Sequence, residues 1–219
     1  MNILGDSITW GYNPITGKQI KRNYSFILKK IMKLEEVRNY GINSSTLADN
    51  KKSYEPMCIR YKDMDNDADI VIIFGGTNDY GREDFSVELG NIRDININTI
   101  YGALNNMCRG LKEKYPESFI FFITPLQRAY KDKGCEFKYA TNIKNNLNYT
   151  LEDVSNAIKE VCKINNILVF DLYNDCGINT DKDCIKFIPD GLHPTEEYHE
   201  ILANKIYNYI KMQIKYIKK

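Results

Sequence analysis

The run Ile70-Val71-Ile72-Ile73-Phe74, opened by Asp69 and stopped by Gly75-Gly76, limits what this chain can become more than any other stretch. Its apolar residues follow one another without alternation, so a strand made from them has no face to give to water. That is the condition of a strand inside a parallel sheet covered on both sides. The same punctuation recurs along the chain. Ile3 and Leu4 end a short apolar stretch before Gly5, Glu36 to Tyr40 leads into Gly41, Phe119 to Ile123 stops at Thr124-Pro125, and Ile167 to Phe170 gives way to a polar segment. Each of these reads as a buried strand that delivers polar residues at its end.

The intervals between them carry a helical period. Tyr24 to Leu34 places apolar residues at 24, 27, 28 and 31. Thr99 to Tyr115 carries the stripe Ile100, Ala103, Leu104, Met107, Cys108 and Leu111, with Pro116 beyond its end. Thr150-Leu151-Glu152-Asp153 has the form of a capping box in front of Val154, Ala157, Ile158, Val161 and Cys162. A last helix is expected from about Thr195, burying Ile201, Leu202, Ile206, Tyr209, Ile210 and Ile214, and a weaker one around Glu55 to Lys62. Tyr80 to Asn98, the stretch after Pro125 up to Thr150, and the stretch from Phe170 to Pro189 read as loops; the second is long enough to be functional. Strands alternating with helices, without repeats or a Gly/Ser linker, predict an α/β protein. The expected architecture is a three-layer α/β/α sandwich on a five-stranded parallel sheet, one domain over residues 1–219.

Composition narrows the partners. Lys and Arg number 30 against 29 Asp and Glu, and no basic block stands out except the tail Lys215 to Lys219, so nothing marks a nucleic-acid binder. No apolar run approaches the roughly 20 residues of a membrane span, and no leader precedes the first strand, so a cytoplasmic location is the expectation. The six cysteines include no C-x-x-C pair. That spacing argues against a zinc site or a disulfide scaffold, and no metal or cofactor is expected. Cys108 and Cys162 fall on apolar helix faces as small core residues, and Cys176 with Cys184 is the one pair placed to bridge across a loop.

The polar clusters after the strands carry the chemistry, because ligands of parallel α/β sheets bind at the carboxyl ends of the strands. The first is Gly5-Asp6-Ser7, which alone is an ordinary turn, since Asp and Ser hydrogen-bond their own backbone there. Asp6 is expected to tie down that turn rather than to tune the serine. The chain has two histidines. His199, inside the last helix, is expected to be a partly exposed surface residue. His193 follows Asp190 by three residues in the loop Asp190-Gly191-Leu192-His193-Pro194, although Asp190 could instead simply cap a helix. Serine is a poor nucleophile until an imidazole takes its proton, and the imidazole needs an acceptor that fixes its tautomer. Ser7, His193 and Asp190 fill those roles, and Gly41, Asn78 and the Ser7 N–H offer donors to a developing oxyanion.

These blocks resemble the GDSL, or SGNH, hydrolase family. Gly5-Asp6-Ser7 matches its first block, Gly41 in Asn39-Tyr40-Gly41 its second, Gly76-Thr77-Asn78-Asp79 its third, and Asp190-x-x-His193 its last, in order across nearly the whole chain. One departure is Tyr198 before His199, where relatives often have glycine. The resemblance implies a flavodoxin-like sandwich and ester hydrolysis through an acyl-serine. It implies Ser7, Asp190 and His193 as the triad and Ser7, Gly41 and Asn78 as the oxyanion hole. Trp10 and Tyr80 are the candidates for substrate binding, with Tyr12, Tyr130 and Tyr139 as further aromatic neighbours. Short acyl or acetyl esters of carbohydrates are the expected substrates. The alternatives are a lysophospholipase or thioesterase type of acylhydrolase, and a carbohydrate-binding module without turnover. A nucleotide binder is disfavoured by the lack of a G-x-G-x-x-G or Walker lysine after any strand.

Overall fold

The computed structural model describes residues 1–51, 55–81, 86–131, 137–139 and 143–217. Its centre is a five-stranded sheet built from β1 (Asn2–Gly5), β2 (Arg38–Gly41), β3 (Ile70–Phe74), β4 (Phe119–Ile123) and, after a separate ribbon of β5 (Ala129–Lys131) and β6 (Phe137–Tyr139), β7 (Leu168–Phe170). The order is β2-β1-β3-β4-β7, with every neighbour pair parallel. The strand order reverses between β1 and β3, where the connections leave in opposite directions and open a crevice at the carboxyl edge. Gly5 pairs with Gly41 on one side and Phe74 on the other, so the residues following all three strands emerge side by side.

Side chains alternate across the sheet into two cores. Leu4, Val71, Ile73 and Phe122 face α5 (Ile100–Lys114) and α6 (Leu151–Ile164). Ile3, Ile72, Phe74, Phe121 and Ile123 face α2 (Tyr24–Ile31) and α9 (Glu196–Ile217). This is why the β3 run has no polar member: both of its faces are roofed by helices. The α5 stripe is buried along its length, and Thr99 opens the helix by accepting the Gly102 N–H at 3.1 Å. The capping box of α6 is present, with the Thr150 N–H donating to Asp153 at 2.7 Å and the Asp153 N–H to Thr150 Oγ1 at 3.3 Å.

Several local expectations are corrected. The loop before Thr150 carries the antiparallel β5–β6 ribbon. The loop up to Pro189 carries two helices, α7 (Leu172–Asp175) and α8 (Asp181–Phe187), the latter opened by a second capping box from Thr180 and Asp183. Only Cys184 of α8 is buried, so the helix has almost no apolar period to betray it. The helix expected at Glu55 to Lys62 contracts to α3 (Met57–Arg60) and one 3₁₀ turn. A further short helix, α4 (Thr77–Tyr80), follows β3. Cys176 and Cys184 are buried thiols and form no disulfide. His199 is fully buried instead of exposed: its Nδ1 accepts the Tyr24 N–H at 3.3 Å, and its ring stacks on Tyr24, tying α9 to α2. Cys135 and the Tyr139 side chain fall outside the described residues. No described helix is long and apolar enough to cross a membrane.

Candidate active site

The chain turns at the end of β1 into the short helix α1 (Ser7–Trp10). Asp6 caps that helix by accepting the Ile8 N–H at 2.9 Å, which places Ser7 at the first helical position. Asp6 is buried, and burial pushes its carboxyl up to about 6 against the opposing pull of the Ile8 N–H and the His193 charge. Its contacts are those of a turn anchor, as its residue type suggests.

The loop before α9 supplies the partners. His193 Nε2 lies 3.0 Å from Ser7 Oγ, and His193 Nδ1 lies 2.7 Å from Asp190 Oδ2. The other Asp190 oxygen accepts the N–H groups of Leu192 at 2.9 Å and His193 at 2.7 Å. The carboxylate therefore both closes its own turn and holds the ring, and it caps no helix, since α9 begins only at Glu196. Burial pushes the Asp190 carboxyl up, but the His193 ring and these backbone donors outweigh it and hold it below the usual carboxylate range. A carboxylate facing Nδ1 keeps the proton there and leaves Nε2 as the acceptor for the serine hydroxyl. Gly191 makes this turn at φ 82, and a Cβ there would overlap the Ala129 carbonyl, so glycine is required. The Ala129 N–H returns the contact by donating to the Gly191 carbonyl at 2.8 Å.

Asn78 comes from α4 at the end of β3, and its Nδ2 donates to the Ser45 carbonyl at 2.9 Å. The adjacent Asp79 is buried and accepts the Leu47 and Ala48 N–H groups at 2.8 and 3.0 Å, which ties the loop after β2 to α4. Burial pushes the Asp79 carboxyl up to about 7. From below, the buried Arg60 guanidinium donates to the Tyr40 carbonyl at 2.8 Å and the Glu55 carbonyl at 2.6 Å. It also donates to the Gly5 carbonyl at 2.9 Å and to Ser45 Oγ at 2.8 Å, so one side chain fastens the ends of β1 and β2 to the loop that receives Asn78.

Ser7, Asn78 and His193 open into a cleft of about 350 Å³ whose walls include Tyr12, Asn43, Ser44 and Arg128. The Tyr12 ring sits 4.4 Å from the His193 ring at 45°. Three sequence candidates are elsewhere. The Gly41 N–H donates to Asn39 Oδ1 at 2.9 Å, and a Cβ on Gly41 would overlap the Trp10 nitrogen, so this glycine serves the close packing of β2 on α1. Gly41 and Trp10 line a second cleft of about 510 Å³ that does not contain Ser7. Tyr80 is buried, and its hydroxyl donates to the Ile143 carbonyl at 2.9 Å. The sequence did not single out Asn43, Ser44 or Arg128. The first two stand in the polar run after Gly41, and their position in a strand-end cluster was the available signal; Arg128 had none. Among the described residues, no three His, Cys, Asp or Glu side chains are grouped to hold a metal ion.

A family model described as the GDSL-like lipase/acylhydrolase family matches residues 3–201. Among solved structures, a protein from Lactobacillus plantarum is 28% identical, with a TM-score of 0.82 over 96% of this chain and 95% of its own. The lipase/acylhydrolase from Enterococcus faecalis is 25% identical, with a TM-score of 0.59 over 97% of this chain and 95% of its own. A carbohydrate acetylesterase family member from Sinorhizobium meliloti shares the fold at 15% identity, with a TM-score of 0.65 over 96% of both chains. No curated protein matches the sequence.

Proposed function

The chain belongs to the GDSL-like lipase/acylhydrolase family, an ester hydrolase, and from that membership we propose that Ser7 is its nucleophile. The observation that carries the reading is the unbroken chain Ser7 Oγ, His193 Nε2, His193 Nδ1, Asp190 Oδ2, at 3.0 and 2.7 Å. Those are the two hydrogen bonds that activation of a serine requires.

The steps then follow. The Ser7 proton passes to His193 Nε2 as Oγ attacks the ester carbonyl carbon, and Asp190 stabilises the imidazolium. The carbonyl oxygen becomes negative and is held by the Ser7 N–H, which as a first-turn donor has no partner within its helix, and by Asn78. An amide nitrogen carries two N–H groups, and the Ser45 carbonyl engages one of those on Asn78. Collapse expels the alcohol, which takes the proton from His193 and leaves an acyl-Ser7. Water attacks this ester with His193 again as base, releasing the carboxylic acid and restoring the serine hydroxyl.

The substrate we infer is a short-chain acyl or acetyl ester of a carbohydrate, processed by the chain as one catalytic domain. The support is a cleft of about 350 Å³ bordered by Tyr12, Asn43, Ser44, Asn78 and Arg128, which offers hydrogen bonds to a polyhydroxylated group. The fold shared with a carbohydrate acetylesterase family member from Sinorhizobium meliloti is consistent with it.

Ser7→Ala should retain the fold and lose on the order of 10⁶ in kcat, because triad members act as a unit. The same change should abolish labelling by a fluorophosphonate, and unchanged turnover would end the assignment. Comparing p-nitrophenyl acetate with the octanoate tests the acyl length. A preference for octanoate would replace the short-acyl reading with a long-chain acylhydrolase.

A further inference from the structure

The imidazole of His193 is held along its edges, with Nε2 3.0 Å from Ser7 Oγ and Nδ1 2.7 Å from Asp190 Oδ2. Its plane needs a further support, because the torsion that turns a histidine ring about its Cβ–Cγ bond has broad minima. The serine hydroxyl that Nε2 meets is itself a rotor, and once the serine is acylated it has no proton left to share. The side chain is nevertheless only 14% exposed. Part of that cover is the Tyr12 ring, whose centroid lies 4.4 Å from that of the imidazole with the planes at 45°. Among the described residues no other aromatic ring packs against His193.

Tyr12 is in turn fastened to the nucleophile. Its N–H and that of Gly11 both donate to the Ser7 carbonyl at 2.9 Å. Gly11 closes α1 at φ 91, a left-handed conformation that ends the helix. The chain then doubles back on itself. Tyr12 forms an antiparallel bridge with Gln19, the Asn13 N–H donates to the Lys18 carbonyl at 2.9 Å, and the Ile20 N–H to the Gly11 carbonyl at 2.7 Å. The Tyr12 hydroxyl reaches the exposed Gly17 turn, 3.7 Å from where a Cβ on that glycine would stand. The contacts close a circuit: Ser7 Oγ to the imidazole, the imidazole to the Tyr12 ring, and the Tyr12 N–H back to the Ser7 carbonyl. A histidine 186 residues away along the chain is thereby aligned by a side chain that belongs to the nucleophile's own turn.

We propose that Tyr12 is the positioning residue of His193: its ring sets the plane of the imidazole so that Nε2 faces Ser7 Oγ, and keeps it set while the serine is acylated. The proposal rests on the hydrolase reading above and adds to it the support of the base. A misplacement of about 1 Å in a reacting group can cost on the order of 10²-fold, so loss of the ring should slow the chemistry without weakening the binding of a small ester.

The test reads the second-order rate of Ser7 labelling by a fluorophosphonate, together with kcat and KM on p-nitrophenyl acetate. Labelling needs the activated serine and carries no sugar that the Tyr12 ring could bind. Tyr12→Phe, which keeps the ring, should stay within about twofold of wild type in all three quantities. Tyr12→Ala should lose at least about tenfold in labelling and in kcat with KM within about twofold, and Tyr12→Leu should recover part of the loss. A rise in KM at unchanged kcat would make Tyr12 a substrate contact and overturns the proposal. A lower urea midpoint with unchanged labelling of the folded protein, the mark of a merely structural residue, also overturns it. So does a tenfold loss in Tyr12→Phe, since the hydroxyl would then carry the effect. If Tyr12→Ala does not fold, Tyr12→Leu against Tyr12→Phe decides: labelling at least about threefold slower in the leucine variant supports the proposal, and equal rates overturn it. If the wild-type protein neither takes the label at Ser7 nor hydrolyses the ester, the hydrolase reading has failed, and this proposal fails with it. Wild-type labelling and turnover that persist undiminished in Tyr12→Ala refute the proposal alone.

Discussion

The proposed oxyanion role of Asn78 would make one side chain serve both architecture and chemistry. One of its N–H groups holds the Ser45 carbonyl at 2.9 Å, which keeps the amide plane from rotating. A donor held still before the reaction costs nothing to orient as the oxyanion forms, which is where such groups gain their effect. Asn78→Ala should therefore lower kcat on p-nitrophenyl acetate by about 10²–10³, or roughly 2.7–4 kcal/mol of barrier, with a much smaller change in KM. Asn78→Asp, of the same size but presenting a negative charge to the developing one, should fall at least as far. A change confined to KM would show that Asn78 binds the ground state only. Asp190 shows the same economy, since one oxygen closes its own turn and the other holds the imidazole.

At the scale of elements, the ends of β1 and β2 are bound to the loop after β2 by Arg60, a buried ion whose acceptors are carbonyls and a hydroxyl. Burial pulls its affinity for the proton down, although a guanidinium stays charged regardless. Arg60→Met removes every one of these donors and strands buried carbonyls. It should cost on the order of 3 kcal/mol or more, read as a lower urea midpoint at unchanged slope. A midpoint within error of wild type would show that water replaces the guanidinium. How much could be read beforehand depended on burial. β3 and β4 match the sequence limits because apolar runs roofed on both faces leave one interpretation, and α5 does so because its stripe is continuous. The helix α8 escaped because only Cys184 is buried, and its start is set by polar capping. Ser7, His193 and Asp190 could be nominated from residue chemistry alone. Gly41 could not be placed, since whether a glycine donates into a cleft or admits a neighbouring helix depends on what packs there. His199 misled for a related reason: its helix position was visible, but the tyrosine stacked on it was not.

For the whole molecule, stability is linked to pH through groups that no catalytic step uses. Burial holds the His199 imidazole down to about 4. The folded state therefore resists a proton that the unfolded chain takes near 6.5. Its contribution is present above about 6.5 and is lost as pH falls toward 4, amounting to about 3 kcal/mol. Asp6 and Asp79 act in the opposite sense. Their carboxyls are raised to about 6 and about 7, so their contribution is present below the unfolded value and is lost as pH rises through those values. Subtracting His199→Gln from wild type isolates the histidine. The difference in unfolding free energy should shrink by about 3 kcal/mol in favour of the variant between pH 7 and pH 4, as measured by urea titration. A difference that is constant with pH would mean that the ring titrates alike in the folded and unfolded states.

The hydrogen bond between Ser7 and His193 joins positions 186 residues apart, and every pairing in the central sheet is parallel, so each needs a crossover connection before it can form. Chain closure on that scale must come before the contacts that reward it, which places such a topology among slow folders. Catalytic competence is then the last property the chain acquires during refolding and the first it loses on opening of α9 from the sheet. Recovery of esterase activity after dilution from urea should follow the slowest structural phase, with no burst of turnover ahead of it.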